Sequence, residues 1–355
     1  MFRASPGVFV TADTVLSSKG VLERIRDADF VLIGEGHTNL CDHRMQARII
    51  QMLGRNGFDP VLGLEMVDVT REKVLDRFNQ KELDVQTLPE AIDWEQTWGY
   101  PYALYRPLFR VAQELEIPVH ALNLPSSIVR KVGKQGLDGL DPEEHAFLPE
   151  EIIPPPADQE ETLREQFRMH ATMLDRGEGE RVLENFILAQ SLWDSFMAQK
   201  AAELSIRYQR PVIVAAGAGH VEFGWGIAHR IRALLPEAKI VSILPWRGGD
   251  NPQQEEGDFF FFCPERHRSR MGYELEQRFD GLRVRMVEEG SRAATAGLKP
   301  GDVIERANGQ VVDSLLDLHR AGFAAGRKQE PFTLTVLRDG QTVQVTIERD
   351  SGAEE

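Results

Sequence analysis

The chain has 355 residues, 42% of them hydrophobic and 27% charged, with a net charge of −15. This is the composition of a water-soluble globular protein of two or three domains, and its sign disfavours a protein that tracks the phosphates of nucleic acid, which normally carries the opposite charge. No apolar run approaches the length of a transmembrane helix. Two cysteines, Cys41 and Cys263, exclude a disulfide framework and a four-cysteine zinc site. They fall in different halves of the chain, which argues against a bridge between them.

The start, Met1-Phe2-Arg3-Ala4-Ser5-Pro6, lacks the basic and apolar pattern of a secretory leader. The chain read as complete is therefore expected in the cytoplasm. Five short apolar runs follow: Phe30–Ile33, Val61–Leu64, Val119–Leu122, Val212–Ala216 and Ile240–Leu244. Each has the length of a strand covered on both faces. Between them lie amphipathic stretches, such as Met45, Ile49, Met52 and Leu53, or Phe186, Ala189, Trp193 and Met197. The alternation predicts an α/β fold with a mostly parallel sheet and flanking helices. The stretch 140–205 is too long for one crossover and reads as a helical insertion, with Pro154-Pro155-Pro156 in a loop at its base.

Residues 1–248 form this domain, and the polar, Gly-rich segment 249–265 reads as a linker. Residues 266–350 hold 14 Lys and Arg against 13 Asp and Glu, so the charge is concentrated in the first domain. Short alternating runs and the turn signals Gly301-Asp302, Asn308-Gly309 and Asp339-Gly340 make this segment a small β-rich domain. Phe332–Leu337 and Val343–Ile347 form a hairpin, Leu315–Phe323 a helix, and 351–355 a tail.

The chemistry of the first domain sits where its strands end. Gly34-Glu35-Gly36-His37, Glu65-Met66, Asn123 and Gly217-Ala218-Gly219-His220 each follow a strand. Ligands of open parallel sheets bind beyond those ends. Glu35, His37, Glu65 and His220 are therefore expected in one cleft. A carboxylate after an apolar strand needs a partner, which a histidine or a metal would supply. Three readings follow. The four residues bind a divalent metal, or the carboxylates polarise His37 as a general base, or the glycine turns cradle a dinucleotide. The last fits poorly, because both turns lack a third glycine. His43 and His145, in highly charged stretches, read as surface residues.

Several stretches match one family. They are Leu32–His37, Gln46 with Ile49-Ile50, Gly63–Met66, Trp94 with Trp98, Tyr105-Arg106-Pro107-Leu108, Ala121-Leu122-Asn123, Ala189-Gln190 with Trp193-Asp194 and Met197-Ala198, and Ala216-Gly217 with Gly219-His220-Val221. On these residues the first domain resembles the ChaN-like haem-binding proteins, within a superfamily that holds the Tiki/TraB proteins and the erythromycin esterases. The resemblance implies haem binding or haem and iron acquisition, in the periplasm or envelope of a bacterium. His37, Tyr105, His170 and His220 are then candidate iron ligands. Arg106 is placed to lower the Tyr105 pKa or contact a propionate. The wider superfamily implies a hydrolase, protease or esterase, with Glu35, His37, Glu65 and His220 catalytic and manganese, zinc or cobalt as the metal. The esterases carry an arginine on the first helix, where this chain has Arg44 and Arg48 beside Gln46. Asp194 is expected either to reach the cleft or to be solvated.

The second domain resembles the PDZ domains of bacterial envelope proteases, through Met271–Leu275, Val284–Ile304 and Asn308–Val312. This implies binding of a partner protein's C-terminus. Amides of Met271, Gly272 and Tyr273 would hold the carboxylate, and Glu274-Leu275-Glu276 would pair with the peptide. The groove filled by this chain itself, for example by Phe259–Phe262, is the alternative. A non-catalytic envelope assembly module also remains open, as does a homodimer.

Overall fold

The computed structural model describes residues 6–348, except 175–178, 249, 265, 270, 279–280, 313–314 and 329. The tail expected at 351–355 lies outside the described residues. The chain forms two compact units.

The first unit is built on an eight-stranded sheet. Its strands are β1 (Phe9–Val10), β2 (Val15–Leu16), β3 (Phe30–Glu35), β4 (Val61–Asp68), β5 (Val119–Asn123), β6 (Val212–Gly217), β7 (Ile240–Trp246) and β8 (Phe259–Phe262). The order is β2-β1-β8-β7-β3-β6-β4-β5. All five strands expected from the sequence are present, and they pair in parallel as β7-β3-β6-β4-β5. β3, β6 and β5 are buried throughout, as strands covered on both faces must be. Helix Leu40–Arg55 packs on β3, and helix Tyr102–Glu114 packs on that helix.

The insertion is helical, as expected. Ala157–Leu174 and the 29-residue helix Glu180–Tyr208 fill it, and Pro154–Pro156 lie outside regular structure. The long helix packs against the sheet with Leu192, Met197, Ala198 and Ala201 fully or almost fully buried.

The expected linker is not all linker. Its four phenylalanines, Phe259–Phe262, are buried and form β8, which pairs antiparallel with Phe9-Val10. Four consecutive large apolar side chains gain too much from burial to stay in solvent. Nor are the cysteines free: Cys41 and Cys263 are both disulfide-bonded, against the expectation from their separation in sequence.

The second unit holds an antiparallel sheet. Its strands are β9 (Arg266–Arg268), β10 (Tyr273–Arg278), β11 (Gly281–Val287), β12 (Val303–Ala307), β13 (Gln310–Val311), β14 (Phe332–Arg338) and β15 (Gln341–Ile347). They run in the order β15-β14-β12-β11-β10-β9, with β13 on β12. The expected hairpin is β14–β15, and the expected helix spans Leu315–Lys328. Leu275, Leu282, Ile304, Leu334 and Val336 centre its core.

Candidate functional site: a cleft at the strand ends

Glu35 is the last residue of β3 and is buried. After it the chain turns, and Asn39 caps the next helix by accepting from the Cys41 amide. Asp42 then accepts from the Gly36 amide at 2.8 Å, which pins the turn. In this geometry Glu35 Oε1 meets His37 Nδ1 at 2.9 Å and accepts from the Tyr105 hydroxyl at 2.8 Å. Its Oε2 stands 3.2 Å from His43 Nδ1. His43 Nε2 donates to the His37 carbonyl at 3.1 Å.

The electrostatics follow from that cluster. Burial alone would raise the Glu35 pKa, but the hydrogen bonds and charge of His37 and His43 outweigh it and hold it at about 2. Burial works against a charged His43, and Glu35 overcomes it and raises its pKa. Burial and the neighbouring Glu35 charge both raise the Tyr105 phenol.

Glu65, on β4, is fully buried. Its Oε2 accepts from the Gly217 amide, while Asn123 on β5 donates to its backbone carbonyl at 2.7 Å. Its Oε1 has no hydrogen-bond partner and lies 3.5 Å from His220 Nε2. On the far side of that ring, Asp194 Oδ1 is 2.6 Å from His220 Nδ1. Arg230 Nη1 lies 3.6 Å from Asp194 Oδ2 and donates to Gln159 Oε1 at 2.8 Å. Burial opposes a charged His220, yet Glu65 and Asp194 push its pKa up to about 10.

The two clusters meet at Gly217. A Cβ there would stand 2.8 Å from His37 Cε1, 3.0 Å from its Nε2 and 3.5 Å from Glu65 Oε2. Glycine is required so that the imidazole tip and the carboxylate can face each other across the rim of β6. They open into a cleft of about 390 Å³. Trp193 closes edge-on over the His220 ring, and Phe223 stacks on Trp225 at 4.3 Å beside it. Among the described residues Glu35, Glu65 and Glu222 line the cleft and no Lys or Arg does.

The four expected residues thus line one cleft, but as two clusters. Among the described residues, no three His, Cys, Asp or Glu side chains converge as a metal-ligating group. Tyr105 is fully buried and spends its hydroxyl on Glu35. Its pKa is raised, opposite to the effect expected of Arg106, which is exposed and does not line the cleft. His170 falls in the helix Ala157–Leu174, and its side chain lies outside the described residues. His43 is a correction: it is wholly buried. The charges around it hid that Asp42 and His43 occupy the inward side of the helix's first turn. Asp194 reaches His220 rather than solvent. Gln159 and Arg230 gave no sequence signal, since glutamine and arginine are ordinary surface residues.

In the second domain, Glu274, Leu275 and Glu276 are already paired with Arg268, His267 and Arg266 of β9. The edge expected to take a partner peptide is occupied within the chain, and by β9 rather than by Phe259–Phe262.

Residues 21–231 match the family described as haem-binding uptake, Tiki superfamily, ChaN, and residues 269–348 match the PDZ domain. The solved structure of ChaN from Campylobacter jejuni, with cofacially bound haem, is similar with a TM-score of 0.55 and 18% identity, over 72% of this chain and 95% of that one. At that identity the likeness is one of fold. The metalloprotease MmpA of Caulobacter vibrioides is 43% identical over 60 residues, which are 17% of this chain and 15% of the protease. The chain belongs to the ChaN-type haem-binding uptake family of the Tiki superfamily, and carries a PDZ domain behind that domain.

Proposed function

We propose that the first domain binds haem in this cleft, with His37 Nε2 on the iron, as part of haem or iron acquisition. The supporting observation is the Glu35–His37 pair. Glu35 engages Nδ1, so Nε2 is the nitrogen left at the cleft beside Gly217. A carboxylate behind a ligating imidazole fixes the ring and raises its basicity. The Phe223–Trp225 stack and Trp193 offer flat apolar surface to a macrocycle. Bound haem supplies a ferric centre that accepts a histidine nitrogen. The protein orients His37 and keeps Tyr105 as a neutral donor to Glu35. The second domain, on this reading, docks the C-terminus of a partner protein. The site of action is the periplasm or envelope, which suits a chain whose two cysteines are disulfide-bonded.

Haemin titration of the full chain, followed at the Soret band, tests the haem reading. A saturable shift is expected in the wild type and in Tyr105→Phe, and is expected to vanish in His37→Ala. An unchanged shift in His37→Ala removes His37 from the site.

Glu65 favours a second reading, hydrolysis. Glu65 is a buried carboxylate that lies between the tips of His37 and His220, with Oε1 3.5 Å from His220 Nε2, and such a trio suits general acid–base chemistry. Cleavage of an ester or peptide substrate, with or without manganese, zinc or cobalt, would then be lost in Glu65→Gln. A broad panel of esters and peptides without turnover, metals included, ends this reading.

A further inference from the structure

β10 has a neighbour on each side. β11 pairs along one edge, from Tyr273 opposite Val287 to Arg278 opposite Gly281. β9 pairs antiparallel along the other, and the sheet ends there. A peptide read by strand addition needs a free edge for its backbone and free amides for its carboxylate. Both are taken by one segment of this chain. The Met271 amide donates to Ser269 Oγ at 3.1 Å, and the Gly272 amide donates to the Ser269 carbonyl at 3.1 Å.

The loop is fixed from its other side too. Gly272 O accepts from the Glu288 amide at 2.8 Å, and Met271 O accepts from the Ala293 amide at 3.0 Å. Gly272 has φ +87°, and a Cβ there would stand 2.2 Å from Ser291 Cβ. The amides therefore cannot retreat from Ser269 by shifting the loop; Ser269 has to leave them.

We propose that Arg266–Ser269 is an intramolecular occupant of the peptide edge, and that a partner's C-terminus enters only when this segment is displaced. The proposal rests on the reading of the second domain as a C-terminus binder. A three-residue strand at a sheet edge is the kind of element that opens locally while the core stays folded.

The ladder names the residue to change. The Ser269 amide donates to Tyr273 O at 2.8 Å, so these two form a hydrogen-bonded pair. Such pairs alternate along an antiparallel ladder, which makes His267 and Leu275 the next one. Proline at 267 deletes that donor. Ser269→Gly removes the acceptor of the Met271 amide together with the Ser269 bond to the Tyr273 side chain, and serves if His267→Pro does not fold.

The test uses the full chain as wild type, His267→Pro and Ser269→Gly. The probe is an array of synthetic decapeptides with free C-termini, and the same peptides amidated. Thermal melting checks the fold, and hydrogen exchange at Leu275 reports whether the edge is open. Faster exchange in the variants is expected, with free-carboxylate peptides binding them at least tenfold tighter than wild type and amidated peptides binding none. Equal peptide binding by wild type and variants overturns the latch and leaves the peptide reading standing. No binding by any form, with the edge shown open by exchange, overturns both.

Discussion

Asp194 Oδ1 lies 2.6 Å from His220 Nδ1, and Asp194 has no solvent exposure. The pair is not isolated. Arg230, equally buried, is the cation on the other Asp194 oxygen, and Glu65 is the carboxylate on the other His220 nitrogen. Four ionisable groups therefore alternate in sign through the interior, from Arg230 to Glu65.

Asp194→Asn breaks that alternation. Removing one partner of a buried ion pair costs about 3–5 kcal/mol, because the other charge is left behind. Here Arg230 is the group left. Urea denaturation should show a loss of that order. The His220 pKa should fall from about 10 toward its ordinary value, since one of the two carboxylates that raise it is gone. An imidazole titration by NMR checks this directly. A variant as stable as wild type, with His220 unmoved, would mean that Arg230 and His220 do not depend on Asp194.

The acid limb of stability belongs to Glu35. Its folded pKa of about 2 lies below the ordinary 4.5, so its ionised form stabilises the fold at pH values above 4.5. That stabilisation fades as pH falls from 4.5 toward 2. A shift of this size corresponds to about 3 kcal/mol of linkage. Thermal melts of wild type should drop across that window. Glu35→Gln, less stable at neutral pH, should show a flatter profile there. Parallel profiles for the two proteins would assign the acid limb to other carboxylates.

How much of this was readable beforehand differs element by element. The five parallel strands announced themselves as short apolar runs, because most of their residues are buried and only His120 and Ser242 interrupt them. β8 did not, because Gly257-Asp258 and the polar residues before it made the whole stretch look like a linker. Glu35, His37, Glu65 and His220 were legible as polar residues placed where parallel strands end. His43 was not, since burial on a helix's inward turn outweighs the charge of its sequence neighbours. Arg230 was hidden for a related reason: only the tertiary meeting of Gln159, Asp194 and the Trp225–Gly226 turn gives that guanidinium its partners. The pairing of β9 with β10 likewise depends on a fold-back that residue types in Arg266–Arg268 do not announce.

Gly217 offers a test of the cleft that leaves its charges in place. The residue ends β6, where its neighbours Ala215 and Ala216 are fully buried. Alanine at 217 fits the strand's backbone, so the sheet itself has no reason to fail. The added methyl group, however, meets the His37 ring at 2.8 Å, closer than carbon atoms pack. The imidazole has to rotate off Glu35 or the strand end has to shift, and overpacking of this kind costs about 1–3 kcal/mol. Gly217→Ala should therefore melt a few degrees below wild type while binding haemin at least tenfold more weakly, with the Glu35, Glu65 and His220 side chains unchanged. Haemin affinity equal to wild type would place the ligand away from the His37 tip. A collapse of the fold would show instead that β6 cannot tolerate the methyl group.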